Sequence, residues 1–451
     1  MKNYHSKYSI ACLGFCIIEQ MVVAFSTIIM IKIGQCIEKP TEVLLWMIIF
    51  IISLFIVFLP RYGYQRFLIL AKYCTFQKFI QDFEGAFQFK PYLAKERDFV
   101  NKRKTFFHNE TWNVVNESYD FILDFILTLL NICFNIGVIG LAIEKDFILS
   151  YIVAFIIAFG LCIISKKRAE LLSFDFQNSH VKMNSVLLYG WDTIMTDNSY
   201  NRFLWKSALN EEINNTVGFG IHRLRYVSYI SCLTMILSAV PIFFVLIKNF
   251  VYSNSIASVA ILVVTLPRQV NTIQYLNVLI SSIMSWNGVH AKIKGLENAS
   301  QVPENLSFDS KYISFSKISL EQKGIKHKFS SFEEIISWEK LKEPGRITIR
   351  GGNGTGKSSL LVGLKTYFRH NAYYYSPNMQ MYFPESFKTS MSVGETVLSD
   401  IEDILKNVQT NILLLDEWDA NLDLINIKKI SDLLEKTAQT KCILEVRHRS
   451  E

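Results

Sequence analysis

The sequence predicts a membrane domain made of α-helices, followed by a smaller α/β domain. Three observations lead to this fold class. The 451 residues are 50% hydrophobic and have a mean hydropathy of +0.22, which is high for a soluble chain. Six apolar stretches in the first two thirds of the chain are each close to the length needed to cross a bilayer. From about residue 292 onwards, short apolar runs alternate with polar segments, as in a water-soluble domain.

The six apolar stretches predict transmembrane helices and their order. We place them at residues 9–31, 43–59, 121–141, 147–165, 227–247 and 256–280. The connections after the second and fourth stretches are long and polar, and separate segments of them show helical periodicity. The connections after the first, third and fifth stretches are short. Lys and Arg residues concentrate in the two long connections, while isolated cations such as Lys39 and Lys145 lie at the opposite face. By the positive-inside rule, we expect the long connections and both termini in the cytoplasm.

Charge and cysteine content narrow the class of protein. The formal net charge of +7 is modest, and the Lys and Arg residues cluster between the apolar stretches, where they indicate membrane topology. We therefore expect no nucleic-acid partner. Eight cysteines do not make a disulfide framework in a chain of this length. No secretory cleavage site is evident after the first apolar stretch.

Polar residues inside the apolar stretches are candidate contacts for a transported molecule. Such side chains are costly in hydrocarbon, so we expect them to face a cavity or another helix. Hydrogen bonding between helices is the more ordinary interpretation. The residues concerned are Glu19, Gln20, Asp124, Asn131, Asn135, Asn271 and Gln274. Pro241 and Pro267 predict kinks in the fifth and sixth spans.

The domain boundaries follow from the change in composition. We assign residues 1–295 to the membrane domain, 296–310 to a linker that contains Pro303, and 311–451 to the soluble domain. Residues 311–320 alternate between apolar and polar side chains and predict an edge strand at the start of the soluble domain.

A glycine-rich stretch in the soluble domain matches the phosphate-binding pattern G-x-x-x-x-G-K-[ST]. A predicted strand at 345–350 precedes it, and a helix with an apolar face follows it. Such a loop brings backbone N–H groups against phosphate oxygens, while its lysine reaches the β- and γ-phosphates and its serine coordinates Mg²⁺. The pattern predicts ATP and Mg²⁺ as cofactors. Its residues are Gly351, Gly352, Asn353, Gly354, Thr355, Gly356, Lys357 and Ser358, with Ser359 next to them.

Two adjacent acids follow an apolar run at residues 411–415. A buried parallel strand delivers its terminal carboxylates to the ligand edge of a sheet in this way. We expect Asp416 to hold Mg²⁺, and Glu417 to polarise or accept a proton from an attacking water.

Together these motifs resemble those of ATP-binding cassette proteins. Asp416 and Glu417 with Asn421-Leu422-Asp423 resemble the second nucleotide motif and its aspartate loop. The stretch from Met391 to Glu395 resembles the signature motif, and the stretch from Val446 to Arg449 resembles the switch segment with its histidine, His448. Six spans followed by such a domain resemble an exporter-type half-transporter, as found among bacterial peptide and microcin exporters.

The resemblance implies a homodimer that binds two nucleotides head to tail. Ser392, Gly394 and Glu395 would lie against the γ-phosphate held by Lys357 of the partner subunit. His448 would contact the same phosphate, and Asp423 would couple the two sites. The aromatic segment 189–192 is a candidate for seating the membrane domain on the nucleotide domain.

The sequence also departs from the family pattern. Only 35 positions separate Lys357 from Ser392, so most of the helical subdomain is expected to be missing. Where the family has a glutamine loop, either Asn378 or Gln380 is the further candidate metal ligand. The residue that stacks on adenine is also left open, and Gln322 lies near the place where the family has its aromatic. The aromatic candidates are Phe315, Phe329, Phe332 and Trp338.

The fold class predicted is therefore an all-α membrane domain of six helices with long cytoplasmic extensions, followed by an α/β P-loop NTPase domain with a reduced helical subdomain. The expected activity is ATP hydrolysis coupled to export of a peptide or amphipathic molecule, such as a peptide antibiotic. We expect the protein in the bacterial inner membrane, in contact with lipid and with a second identical chain. Two alternatives remain: a translocator of lipids or hydrophobic compounds, or an importer; and a nucleotide-sensing membrane regulator without turnover.

Overall fold

The computed structural model describes residues 6–95, 103, 107, 110–252, 256–302, 308–379, 381–383, 392–420 and 422–447. Most of these residues are helical, and a small mixed sheet lies in the C-terminal part. The chain divides into two compact units. The first comprises Met1–Phe79 and Glu110–Glu297, and the second comprises Ile80–Asn109 and Asn298–Glu451.

Helices make up the first unit and the beginning of the second. Six helical stretches are long and apolar enough to cross a membrane, and each contains one of the six predicted apolar stretches. The prediction of six apolar helices is confirmed, as expected for a multi-pass membrane protein. The helices are α1 (Lys7–Gln35), α2 (Pro40–Ile56), α3 (Phe58–Phe87), α4 (Thr111–Ala142), α5 (Asp146–Leu187), α6 (Gly190–Met195), α7 (Ser199–Val251) and α8 (Ile256–Ala299).

The long polar connection after the fourth span is an extension of the spans themselves. The helical periodicity predicted in pieces corresponds to the end of α5, the short α6 and the start of α7; α5 runs for 42 residues and α7 for 53 residues. At 1.5 Å per residue, α7 is about 80 Å long, well beyond the thickness of a bilayer. The polar halves of α5 and α7 pack on each other, with the hydroxyls of Ser179 and Thr216 2.9 Å apart. The polar halves of these two helices are therefore supported by packing against each other, whereas their apolar halves are suited to a membrane.

Four of the seven polar residues singled out in the spans are buried in bonds between helices. Asn131 Nδ2 donates to Gln20 Oε1 at 2.9 Å, and Thr27 Oγ1 donates to Asn135 Oδ1 at 3.0 Å. Glu19, which is 1% exposed, accepts a bond of 2.9 Å from the guanidinium of Arg61. These bonds favour the ordinary interpretation for Glu19, Gln20, Asn131 and Asn135. Asp124, Asn271 and Gln274 are exposed on their helices.

The second unit is built on a six-stranded sheet with the order β2-β1-β3-β6-β5-β4. The strands β3, β6, β5 and β4 run parallel, and β1 is antiparallel to both of its neighbours. The strands are β1 (Ile318–Gln322), β2 (Ile325–His327), β3 (Gly345–Gly351), β4 (Ala372–Tyr375), β5 (Ile412–Asp416) and β6 (Cys442–Val446). The helices are α9 (Phe332–Ser337), α10 (Lys357–Phe368), α11 (Val393–Asn407) and α12 (Leu424–Thr437).

Apolar side chains cover both faces of the sheet. On one face, Leu414 and Leu444 pack with Leu360, Leu361 and Leu364 of α10, in agreement with the predicted apolar face of that helix. On the other face, Leu413 and Ile443 pack with residues of α11 and α12. All residues of β5 and β6 are buried, which is typical of central parallel strands.

The beginning of the sheet differs from the sequence prediction. Residues 311–320 do not form one edge strand, because Ser310–Tyr312 and Phe315–Lys317 are 3-10 turns and β1 begins at Ile318. β1 is also an inner strand, with β2 at the edge. The Ser314 N–H donates to the carbonyl of Thr355 at 2.9 Å. A backbone donor of this segment thus bonds to the glycine-rich loop instead of a strand ladder.

Candidate nucleotide site

The glycine-rich loop joins the end of β3 to the start of α10. Gly354 and Gly356 have φ angles of +76° and +91°, in the left-handed region that favours glycine. A Cβ atom on Gly356 would lie 2.3 Å from the carbonyl oxygen of Tyr312, so the close approach of this backbone also requires glycine. The loop therefore ends at a helix N-terminus that Gly356, which has no side chain, leaves without a side-chain cap.

Side chains of the loop hold its shape. Lys357 Nζ donates to the carbonyl oxygens of Gly351 at 2.8 Å and Gly352 at 3.0 Å. Thr355 Oγ1 donates to the same Gly352 carbonyl at 2.8 Å. The Lys357 ammonium is thereby held against the loop, beside the N-terminus of α10, where both charges favour an anion. Asn353 is exposed and Ser359 is half-buried.

The first residue pair predicted for Mg²⁺ is brought together. Ser358 Oγ donates to Asp416 Oδ1 at 2.8 Å, although 58 positions separate the two residues. Asp416 is 5% exposed at the end of β5. A hydroxyl and a carboxylate are the oxygen ligands that Mg²⁺ prefers, so this pair fits the ion.

A third residue, which the sequence analysis did not identify, completes the surroundings of Asp416. The Tyr374 hydroxyl donates to Asp416 Oδ2 at 2.8 Å from the neighbouring strand β4. Burial, followed by the charge of Asp416, raises the pKa of Tyr374 far above its ordinary value, so the phenol remains a donor. The only sequence signal is the position of Tyr374 in a short strand beside β5.

Glu417 has an unusual backbone conformation directly after β5. Its φ is +50°, which is uncommon for a residue with a side chain. Its N–H donates to the carbonyl of Val446 at 2.9 Å, which ties the residue to the end of β6. Backbone strain of this kind concentrates at functional sites. The side chain is half-buried.

A buried charged network lies behind Glu417, and the sequence analysis did not predict it. Glu445 on β6 is 1% exposed and accepts bonds of 3.0 Å from both Nε and Nη2 of Arg346. It also accepts a bond of 3.0 Å from the indole N–H of Trp418, the residue after Glu417. Burial alone would lower the pKa of Arg346, but the bonds to Glu445 raise it. The network fixes Trp418 and thus the chain next to Glu417.

The signature-like residues stand at the start of α11. Ser392 caps the helix: its Oγ accepts from the Glu395 N–H at 3.3 Å, and its own N–H donates to Glu395 Oε2 at 2.8 Å. These bonds lower the pKa of Glu395. A Cβ atom on Gly394 would lie 3.3 Å from Asn426 Nδ2 of α12. Asp423 caps α12 by accepting from the Asn426 N–H at 2.7 Å, so two helix N-termini lie side by side.

Several predicted residues lie outside the described part of the chain: Gln380, Met391, Asn421, His448 and Arg449. Asn378 is described and lies exposed in the turn after β4. Between β4 and β5, the described residues form one helix, α11, in line with a reduced helical subdomain.

An exposed aromatic side chain lies next to the glycine-rich loop. The backbone of Tyr312 approaches Gly356, and its side chain is 59% exposed. Gln322 lies at the other end of β3, beside Gly345, about 20 Å away by strand length. Phe332 is buried in the core, and Phe315, Phe329 and Trp338 pack partly against it. The sequence analysis did not single out Tyr312, because residues 311–320 were interpreted as one edge strand.

Comparisons with known proteins add no family assignment. No family model matches the sequence, and no curated protein matches it. The assignment of a candidate nucleotide site therefore rests on the motifs and on the contacts described above.

Proposed function

We propose that the protein is an ATP-driven membrane transporter of the ATP-binding cassette type, acting as a homodimer. One observation carries the proposal. The Ser358 hydroxyl, at the start of the helix after the glycine-rich loop, bonds to the carboxylate of Asp416 at the end of a buried parallel strand. These two motifs meet in a chain that also contains six apolar helices. ATP and Mg²⁺ are the cofactors that such an arrangement would take.

Each residue then has a chemical role. The loop N–H groups and Lys357 would bind the phosphates, and Tyr312 would stack on the base. Ser358 and Asp416 would hold Mg²⁺, which neutralises phosphate charge when bound. Glu417 would orient the attacking water and accept its proton. Tyr374 would orient the Asp416 carboxylate by donating to the oxygen that Ser358 does not contact.

Exposed apolar side chains beside the signature-like residues support a second copy as partner. Val393, Leu424 and Ile425 are 66%, 73% and 68% exposed at the starts of α11 and α12. Large apolar side chains grouped at one place on a soluble unit indicate an interaction surface. A second copy placed head to tail would cover them and bring Ser392 and Gly394 to the nucleotide.

The transported molecule we propose is a peptide or another amphipathic compound, moved outwards across the bacterial inner membrane. Both termini and the nucleotide site would lie in the cytoplasm, where ATP is available. A lipid or hydrophobic-compound translocator remains the alternative cargo class, and photo-crosslinking of labelled peptide against labelled lipid in reconstituted protein separates the two.

The decisive test is phosphate release from Mg-ATP by the full chain in lipid, by Glu417→Gln and by Lys357→Ala. We expect Glu417→Gln to keep ATP binding while phosphate release falls at least about tenfold, because only the water-activating carboxylate is lost. Lys357→Ala should weaken ATP binding itself. If the unaltered chain binds ATP but all three release phosphate at the same background rate, the transporter proposal fails and a nucleotide sensor takes its place.

A further inference from the structure

A cleft opens between α5, α7 and α8 in the first unit. Its volume is about 380 Å³. Two cations from different helices, Lys166 of α5 and Arg223 of α7, line it together with the hydroxyls of Ser281 and Ser285 of α8. Apolar side chains, including Met284, complete the wall. Glu170 of α5 also lines the cleft, which is therefore amphipathic, with two cations, one carboxylate and hydroxyl groups beside apolar side chains.

All three helices change from apolar to polar sequence at the level of the cleft. The apolar stretch of α5 ends at residue 165, that of α7 begins at 227, and that of α8 ends at 280. On the apolar side of the cleft, Cys162 and Ile280 are buried against each other, and Met284 packs on them. The cleft thus lies at one membrane boundary, on the side where Lys and Arg residues concentrate.

The two cations are available to an anion. Arg223 Nε donates to Ser173 Oγ at 3.1 Å, and its guanidinium lies 5.6 Å from the Phe176 ring centre, which fixes its direction. Among the residues that the structure describes, no carboxylate forms an ion pair with Arg223. Lys166 reaches Glu170 only at 3.9 Å, the outer limit of an ion pair. Both partners of that pair are about half exposed, so the pair is weak.

We propose that this cleft binds the head group of an anionic phospholipid. The phosphate would lie between Lys166 and Arg223. The Ser281 and Ser285 hydroxyls donate to helix carbonyls, so their Oγ atoms would accept from hydroxyl groups of the head group. The acyl chains would continue along the apolar surfaces of α5 and α8 within the bilayer. Basic pockets between membrane helices on the cytoplasmic side suit such head groups, because charge attraction adds to the burial of the chains. This site does not depend on nucleotide turnover.

The test is native mass spectrometry of the full chain, with phosphatidylglycerol as the probe and phosphatidylcholine as the zwitterionic comparison. Lys166→Gln with Arg223→Gln should weaken phosphatidylglycerol binding by about tenfold or more. Lys167→Gln with Arg225→Gln is the matched control, because it removes the same charge from the same helices outside the cleft lining. We expect the control to change binding by less than about twofold. The charge-preserving pair Lys166→Arg with Arg223→Lys should restore it.

Three results would overturn the proposal. Equal losses in the cleft pair and the control pair would mean that general surface charge attracts the lipid. Unchanged binding in the cleft pair would mean that the lipid lies elsewhere. Full competition by glycerol 3-phosphate, at concentrations that match the lipid, would mean that the cleft holds a free phosphate compound and not a lipid.

Discussion

Arg346 shows how strongly burial decides the value of a single ion pair. Its guanidinium pairs with two carboxylates, Glu445 at 3.0 Å and Glu435 at 3.2 Å. The Glu445 side chain is 2% exposed and the Glu435 side chain is 71% exposed. Water screens the second pair and not the first, so the two contacts differ in energy although their lengths are similar.

We expect Glu445→Ala to destabilise the second unit by about 3–5 kcal/mol, because Arg346 would keep a buried charge without its main partner. The Trp418 indole N–H would also lose its acceptor. Hydrogen exchange of the β6 amides in the full chain measures this unit separately from the membrane helices. Glu435→Ala is the control and should change protection little. Similar loss of protection in both variants would contradict the role given to burial.

At the scale of elements, the residues proposed to meet nucleotide stand at helix starts, that of α10 for this chain and those of α11 and α12 for a second copy. α10 begins after a left-handed glycine, while α11 and α12 begin at the side-chain caps Ser392 and Asp423. The three ends carry positive partial charge and their N–H groups are only partly satisfied. A helix start can bind an anion through its backbone, so the proposed role of the loop before α10 depends on glycine geometry as much as on side chains.

Gly356→Ala is expected to disrupt the loop even without nucleotide. The residue has a φ of +91° and an added Cβ would collide with the Tyr312 carbonyl, so we expect a loss of at least about 1–3 kcal/mol in local stability. Gly352→Ala is the control, because its Cβ would lie 3.8 Å from Thr355 Cγ2, an ordinary contact. Hydrogen exchange at the start of α10, measured without nucleotide, should rise in the first variant only. Equal exchange in the two variants would contradict the requirement for glycine at position 356.

At the scale of the whole molecule, the two compact units do not follow the order of the sequence. The segment that follows the second span belongs to the C-terminal unit, where Leu93 is buried and Tyr92 packs against the core. The Phe89 ring lies edge-on to His370 with centres 4.7 Å apart, just after α10. Part of the connection that follows the second span thus packs in the second unit, which contains the candidate nucleotide site.

The turn between α5 and α7 presents apolar side chains that no described residue covers. Tyr189 and Trp191 are 71% and 70% exposed, while Trp205 packs beneath Gly190 and donates from its indole N–H to the Val186 carbonyl at 3.0 Å. Trp205 thus holds the turn in place, and Trp191 is exposed on it. The prediction that this surface seats on a nucleotide unit can be tested in the proposed homodimer, where that unit could belong to the second copy.

A photo-crosslinking amino acid at Trp191 should therefore join two chains in reconstituted protein. We expect a crosslinked dimer that increases with nucleotide, because closing the two nucleotide units together would bring the partner surface onto the turn. The same probe at Asp175, exposed on α5, is the control and should crosslink little. Crosslinking that is equal at the two positions, or absent at 191, would contradict docking of this turn on a second copy.

Local patterns were sufficient for the features that depend on neighbours in the chain. The six apolar helices, the strands at 345–350 and 412–416, and the glycine-rich loop follow from composition, periodicity and the conformational freedom of glycine. The meeting of Ser358 with Asp416 was also predictable, since parallel strands bring their carboxyl ends to one edge.

Tertiary structure alone decided which distant groups share an environment. The strand predicted at 311–320 became turns because the Ser314 N–H found the loop carbonyl of Thr355. Tyr374 and Glu445 have roles that depend on neighbouring strands, and residues 80–95 joined the second unit through packing that no local pattern encodes. Periodicity indicates which face of an element is apolar, but the partner of a buried polar group is set by the assembled fold, where each such group must find a donor or acceptor.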